Sequence, residues 1–295
     1  MNQQMQQALD WNPATILQSP LFAPLYPAIV RLGISGFPTL NDCNALLDSR
    51  PSPITVQSGL PLRFVAQQPG KQPFAAQYEP RCYLAGEVQM REHNWHDLFN
   101  ALVWLTFPTA KALLNARHYR AMLEERHVLL EQPALGNKGR GTLRDANTLF
   151  DESGVIVAYS DACTGADLAG LLRGFQWKKL FWQQREQVRP QSSQKAMGFY
   201  LFGHGLYEKA LQPYIGMTGQ GLLLAVQPKF FSWPQLQQLA HLDNLLADYL
   251  AAPEHCRSTR DLSPVPLLGV PGWAADNDNA AYYDNAAYFR PGRRG

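Results

Sequence analysis

Charge is scarce in this chain. Only 17% of its 295 residues are Asp, Glu, Lys or Arg, and 26 Lys+Arg nearly balance 24 Asp+Glu, for a formal charge of +2. That balance excludes a binder relying on bulk positive charge, so the composition gives no support for nucleic acid as a partner and leaves only a local basic patch open. Cysteine is as sparse. Cys43, Cys82, Cys163 and Cys256 are widely separated with no CxxC pair, which argues against a disulfide framework and predicts four reduced, mostly buried thiols. No window offers the ~20 uninterrupted apolar residues of a membrane helix. The opening MNQQMQQALDWNPATILQ has neither the basic nor the apolar region of a secretory signal. A cytoplasmic location is the expectation. Also missing are the GxGxxG of dinucleotide folds, the GxSxG elbow of serine hydrolases, the HExxH zinc signature and a phosphate loop ending in GK[ST].

What is present is apolar. Hydrophobic residues make up 46% of the chain, and a chain this long buries about three quarters of its unfolded surface. Residues 1–14 are polar and expected to be flexible. The run PLFAPLYPAIVRL carries three prolines and predicts a broken helix, since each internal proline removes a backbone donor. Thr39 is placed to cap a helix carrying Leu40, Cys43, Leu46 and Leu47. Extended segments at 54–56, 62–65 and 83–90, separated by turn formers, predict a small antiparallel sheet.

Asn94 is a good cap for the next helix, with Trp95, Leu98, Phe99, Leu102 and Val103 at amphipathic spacing. Pro108 ends that helix and opens another to about residue 131. A GNKGRG loop (136–141) follows, then a helix over 143–150 and a strand over 155–159. Helices are predicted at 166–173, 177–188 and 196–211, a strand at 222–226, and a helix at 233–250 burying Leu236, Leu239, Leu242, Leu246 and Leu250. From residue 262 the tail LSPVPLLGVPGW runs extended. It carries Trp273, Tyr282, Tyr283, Tyr288 and Phe289 and is expected to wrap over the body. The fold class is α+β: a helix-rich single domain over residues 15–295, with a small, mainly antiparallel sheet and an extended aromatic tail.

Three segments can carry chemistry. In REHNWHDLFNALVW, His96 and Asn100 are four apart and project from one helix face. On the following helix Lys111, Asn115 and His118 form a polar stripe, so packing of the two helices would gather His96, Asn100 and His118 in one pocket, fit for a divalent metal or an imidazole base. In FYLFGHGLYEKAL, His204 and Glu208 share a side, which suits metal ligation or a carboxylate-oriented imidazole. Gly203 and Gly205 cost a helix about 1 kcal/mol each and so point to close approach of another group. In RDANTLFDES, Asp145, Asp151 and Glu152 precede a buried strand and are candidates for a hard cation or for caps and turns. Arg144 and the GNKGRG loop are placed for an anion. The DNDN of residues 276–279 lacks the glycine and distal Glu of a calcium loop and reads as a turn.

The blocks NWHDLFNALVWLTFP, LFDESG, FGHGLYEKAL, LLGVPGW and the final FRP resemble a bacterial family catalogued as domain of unknown function 3025, over about residues 54–291. The resemblance implies a cytoplasmic protein of one domain and places His96, Asp97, Asn100, Asp151, Glu152, His204 and Glu208 inside motif blocks. It brings no activity. Two readings follow from the residues. One is a metal-dependent hydrolase, with phosphoesters as the leading substrates: His96, His118, His204, Asp151 and Glu208 hold a divalent ion that activates water. His96, Asn100 and His118 serve the reaction, and Lys111 or Arg144 neutralises developing charge. The other is a non-catalytic binding or scaffold protein with an aromatic recognition surface formed by the tail and the Trp177–Trp182 segment.

Overall fold

Residues 155–158, Val-Ile-Val-Ala, have no exposed surface, and a strand buried on both faces belongs at the centre of a sheet covered on both sides. The computed structural model describes residues 10–131 and 141–293. The first half contains α1 (Pro13–Gln18), α2 (Tyr26–Leu32), α3 (Leu40–Asp48), β1 (Arg63–Ala66), α4 (Tyr78–Ala85), β2 (Glu87–Met90), α5 (Trp95–Thr106) and α6 (Pro108–Glu131). The second contains α7 (Thr142–Ser153), β3 (Gly154–Ser160), α8 (Cys163–Arg173), α9 (Arg185–Val188), β4 (Met197–Leu201), α10 (His204–Ala210), β5 (Thr218–Val226), α11 (Gln235–Ala251) and β6 (Ser263–Pro266). The fold is α+β.

Four strands form the main sheet in the order β4-β3-β5-β6. β3 pairs antiparallel with β4, Val155 opposite Leu201, and parallel with β5, Gly154 opposite Gln220 through Ser160 opposite Val226. β6 adds antiparallel to β5 and carries Pro264 and Pro266 at the sheet edge, where a missing donor is tolerated. The expected antiparallel pairing therefore holds for the outer pairs of this sheet only. β1 and β2, joined through α4, form a separate parallel pair.

The helices follow their capping residues. Thr39 and Asp42 close a reciprocal capping box on α3. The Asn94 side chain accepts the Asp97 amide at 3.0 Å, starting α5. Asp243 of α11 accepts the Thr109 and Ala110 amides at 3.0 and 2.8 Å, so a residue 134 positions away satisfies the orphan donors that begin α6. α5 is buried on nearly every face, as a helix enclosed by its neighbours must be.

Several expectations are corrected. Residues 83–85 end α4, and residues 54–56 make only one isolated bridge, Thr55 to Pro61. Residues 196–211 are not one helix. Met197–Leu201 is a strand buried on both faces, which shows no alternation and whose apolar residues continue the spacing of the helix after it. Residues 177–188 are interrupted by a π turn, Lys179–Gln183, which inserts a residue and turns Leu180 and Phe181 both inward. Leu236 is 66% exposed, while Leu239, Leu242, Leu246 and Leu250 are buried.

The tail is a chain of short 3-10 turns after β6 rather than extended. Its Asn277 is wholly buried and donates to the Leu268 and Val270 carbonyls at 3.0 and 2.7 Å, so DNDN staples the tail internally. Trp273, Tyr283, Tyr288 and Phe289 are buried, and Trp177 donates to the Arg290 carbonyl at 2.6 Å. Cys43, Cys82 and Cys256 are buried, Cys163 is exposed, and all four are free. Burial pushes the Cys43 thiol up to about 12. Residues 1–9 and most of the GNKGRG loop lie outside the described residues. Trp11 is buried, with its indole donating to the Ile34 carbonyl at 3.0 Å. Among the described residues no helix is long and apolar enough to cross a membrane.

Lys195 lies against the Tyr200 and Phe231 rings, 5.9 and 5.8 Å from their centroids, and burial lowers its pKa to about 8 from the usual 10.5. Between those values the unfolded chain binds the extra proton, so stability rises with pH there. Urea midpoints measured from pH 8 to 10.5 are expected to climb for the native chain. The climb should flatten in Lys195→Met.

Candidate metal centre

Three element ends meet at one point. α7 runs into β3 with no intervening residue, which leaves Glu152 one residue from the helix end. Because β4 is antiparallel to β3, its last residue Leu201 lies opposite Val155, and the chain leaving β4 passes directly over the α7–β3 junction. The amides of Phe202 and Gly203 both donate to the Gly154 carbonyl, at 3.0 and 2.9 Å. α10 then begins at His204. A Cβ on Gly203 would stand 2.4 Å from the Gly154 nitrogen and 2.5 Å from the Ser153 nitrogen. A Cβ on Gly205 would stand 2.5 Å from Glu152 Oε2. The glycines bracketing His204 are therefore there for close approach, and the group approached is Glu152 with its backbone. α5 packs on α10 and supplies His96 from its first turn.

The donor atoms converge tightly. His96 Nε2 and His204 Nε2 are 3.0 Å apart, and Glu152 Oε1 lies 3.6 Å from the first and 3.4 Å from the second. Ligands held at ~2.1 Å lie ~3.0 Å apart on an octahedral face and ~3.4 Å apart on a tetrahedral one. The triangle of observed distances matches those edges. The two rings meet nearly edge to face, with centroids 4.4 Å apart at 75°. Among the described residues this is the group of three or more such side chains that can hold a metal ion.

Each imidazole has a carboxylate behind it. His96 Nδ1 is 3.0 Å from Glu208 Oε2, an arrangement that fixes a ligating imidazole's tautomer and orientation. That bond outweighs burial and raises the His96 pKa above the ordinary imidazole value. His204 Nδ1 is buried without a hydrogen-bond partner, 3.8 Å from Asp151 Oδ2. Asp151 accepts from Lys111 Nζ at 2.5 Å, and Lys111 also donates to Asn100 Oδ1 at 2.9 Å. Asn100 in turn donates to the Tyr78 hydroxyl at 2.6 Å. Burial pushes the Asp151 carboxyl up, but Lys111, with His204 and His118, overcomes it and holds the pKa at about 2. Glu152 is likewise drawn below the usual carboxylate range, the two imidazoles outweighing burial.

The triad opens on a cleft of about 570 Å³, within the size range of small-molecule sites. His96, Asn100, His118, Arg144, Asp151 and His204, all singled out in the sequence, line it. Lys111 does not: it is buried beneath the cleft floor. Asp145 is exposed away from the cleft. Of the five expected ligands, His96 and His204 belong to the ligand-distance cluster, whereas Asp151 and Glu208 stand behind the imidazoles and His118 lies elsewhere on the wall. Glu152, next in sequence to the expected Asp151, is the carboxylate that completes the cluster. Tyr78 and Glu79 were also missed, having no motif to mark them, and Arg91 was not singled out although it opens the REHNWHDLFNALVW segment.

No curated protein and no solved structure matches the chain significantly. The family described as a protein of unknown function, DUF3025, matches residues 62–293, a span holding every cleft residue described above, and the chain belongs to that family.

Proposed function

We propose that the protein is a metal-dependent hydrolase whose divalent ion is held by His96, His204 and Glu152. The observation that carries this reading is the triangle of 3.0, 3.4 and 3.6 Å between the three donor atoms. Two imidazoles and one carboxylate are a known catalytic zinc set, with the remaining position left for water. A bound ion of this kind lowers the pKa of its water to ~7 and makes it a nucleophile at neutral pH. Glu208 orients His96, and Asp151, kept ionised by Lys111, faces the unsatisfied nitrogen of His204. His118 lines the same cleft and is the imidazole outside the triad available to carry a proton. The aromatic side chains on which a recognition surface would depend are turned inward, Trp177 stacking on Phe181 and Tyr283 packing on Phe289.

Metal analysis tests the reading. After equilibrium dialysis against Zn²⁺, Mn²⁺ or Fe²⁺, the native chain is expected to retain one ion. His96→Ala, His204→Ala and Glu152→Ala should each lower that affinity at least ~100-fold, and Glu208→Gln ~10- to 100-fold through the orientation of His96. Retention unchanged by the triad substitutions, or no retention by the native chain at micromolar free metal, would overturn it.

A further inference from the structure

We propose that the groove between α2 and α11 binds a single-chain amphiphile with a carboxylate head, a fatty-acid anion free in solution. The groove has a volume of about 790 Å³ and shares no lining residue with the metal cleft, so the inference stands apart from the metal reading. Tyr26, Val30 and Arg31 of α2 line one side, and Leu236, Leu239 and Asp243 of α11 the other, each set at the spacing of a single helix face. A hydrogen bond from Gln235 Nε2 to the Ala23 carbonyl at 2.6 Å ties the beginnings of the two walls together. At the far end the charges of Arg31 and Asp243 both reach Arg50. From Gln235 to Asp243 the helical rise gives a trough about 12 Å long. Its middle is apolar. Leu46, Leu105 and Leu239 are buried beneath it, while Val30 and Leu236 stand 62% and 66% exposed on the two rims. Aliphatic side chains left open on both sides of a concavity mark a place that something covers.

The far end is cationic. Arg31 Nη2 donates to the Ser49 hydroxyl at 2.7 Å, and Arg50, which follows Ser49, donates through Nη1 to the Leu105 carbonyl at 3.1 Å. Ser49 stands just past α3 and Leu105 lies in the last turn of α5, so two helix ends hold the guanidiniums in place. Each bond uses one of a guanidinium's five donors, and among the described residues no carboxylate forms an ion pair with either arginine. Asp48, two residues before Arg50, is taken by Arg63 at 2.6 Å. Asp243 gives its two oxygens to the Thr109 and Ala110 amides. Burial and the charge of Arg31 together lower the Arg50 pKa, and an anion bound between the two arginines would relieve that repulsion. Positive charge gathered at one end of an apolar trough matches one head and one tail. A docked amphipathic helix would instead meet its partner through anchors repeated along its length.

Isothermal titration of the full-length protein tests this with octanoate, decanoate and dodecanoate below their micelle-forming concentrations. One site per chain is expected, with affinity rising about fourfold for each methylene added. Dodecyltrimethylammonium, with the same tail and the opposite head, should not bind. Arg31 is exposed, so Arg31→Met should fold, and it is expected to weaken dodecanoate roughly tenfold. Leu236→Asp, which puts a charge in the path of the tail, should weaken it at least as much. His204→Ala, in the metal cleft, should bind dodecanoate as the native chain does. Urea midpoints check that all three variants are folded. Absence of saturable dodecanoate binding, equal binding of the cationic amphiphile, or binding untouched by both groove substitutions would overturn the proposal. So would binding lost in His204→Ala, which would place the carboxylate on the metal. A helical peptide of leucine and glutamate that binds where dodecanoate does not would give the groove to a protein partner and overturn it too.

Discussion

Gly203→Ala is expected to destabilise the fold by about 3 kcal/mol or more, or to prevent its accumulation, as overpacking against an element that cannot yield does. The added methyl would stand at 2.4 and 2.5 Å from the backbone nitrogens of Gly154 and Ser153 and 2.6 Å from the Glu152 carbonyl carbon. These atoms are fixed by the helix on one side and the central strand on the other, so relief requires separating β4 from β3. Gly205→Ala offers the informative contrast. Its nearest obstacle is the Glu152 carboxylate, the end of a flexible side chain, so this variant should fold and lose metal affinity. Gly170, with nothing within 4 Å of a Cβ, is the control, and alanine there should stabilise α8 by up to ~1 kcal/mol. Urea midpoints of the three variants decide the matter. A Gly203→Ala protein as stable as the native chain would refute the packing account.

Lys111→Met is expected to cost about 3–5 kcal/mol, the usual result of leaving a buried charge without its partner. The Lys111 and Asp151 side chains are 4% and 14% exposed, and Asn100 loses a donor as well. The sign with pH is distinctive. In the native chain Asp151 is held at about 2, below its ordinary 3.8. Its contribution is therefore present above pH 3.8 and lost as pH falls through about 2. With Lys111 gone, burial is the largest influence on the carboxyl and raises its pKa. The variant should then gain more stability than the native chain does as the pH is lowered from 7 toward 4. Asp151→Asn in the Lys111→Met background should restore most of the loss. A Lys111→Met deficit that neither responds to pH nor is recovered by Asp151→Asn would show that the lysine acts by packing alone.

The sequence made the long helices readable because their boundaries are written locally: Asn94 caps α5, Pro108 opens α6, and Thr39 with Asp42 closes the start of α3. It also singled out the two histidines and the acidic block, and the cost of Gly203 and Gly205 pointed to a close neighbour. It named Asp151 and not Glu152 among the ligands, a choice that nothing local decides. Adjacent helical residues point about 100° apart, and which of them faces the histidine pair is decided by the pairing of β3 with β4, contacts across some 45 residues. The strand Met197–Leu201 was hidden for a related reason: buried on both faces, it has no alternation to read. Lys111 appeared as a candidate for meeting substrate charge because spacing along a helix shows a shared face, not whether that face is already occupied by a carboxylate from another element.

The direct passage of α7 into β3 has a kinetic consequence. Two of the three donor groups are carried by backbone that shares hydrogen bonds with the main sheet, the Gly154 carbonyl accepting from both Phe202 and Gly203. Small fluctuations of surface loops leave such a junction untouched, and opening it demands separation of the central strands, an event near the free energy of global unfolding. A captured ion would therefore leave through its coordination sphere toward solvent and not by fraying of its scaffold, and the amides of residues 202 and 203 belong with the slowest-exchanging hydrogens of the chain.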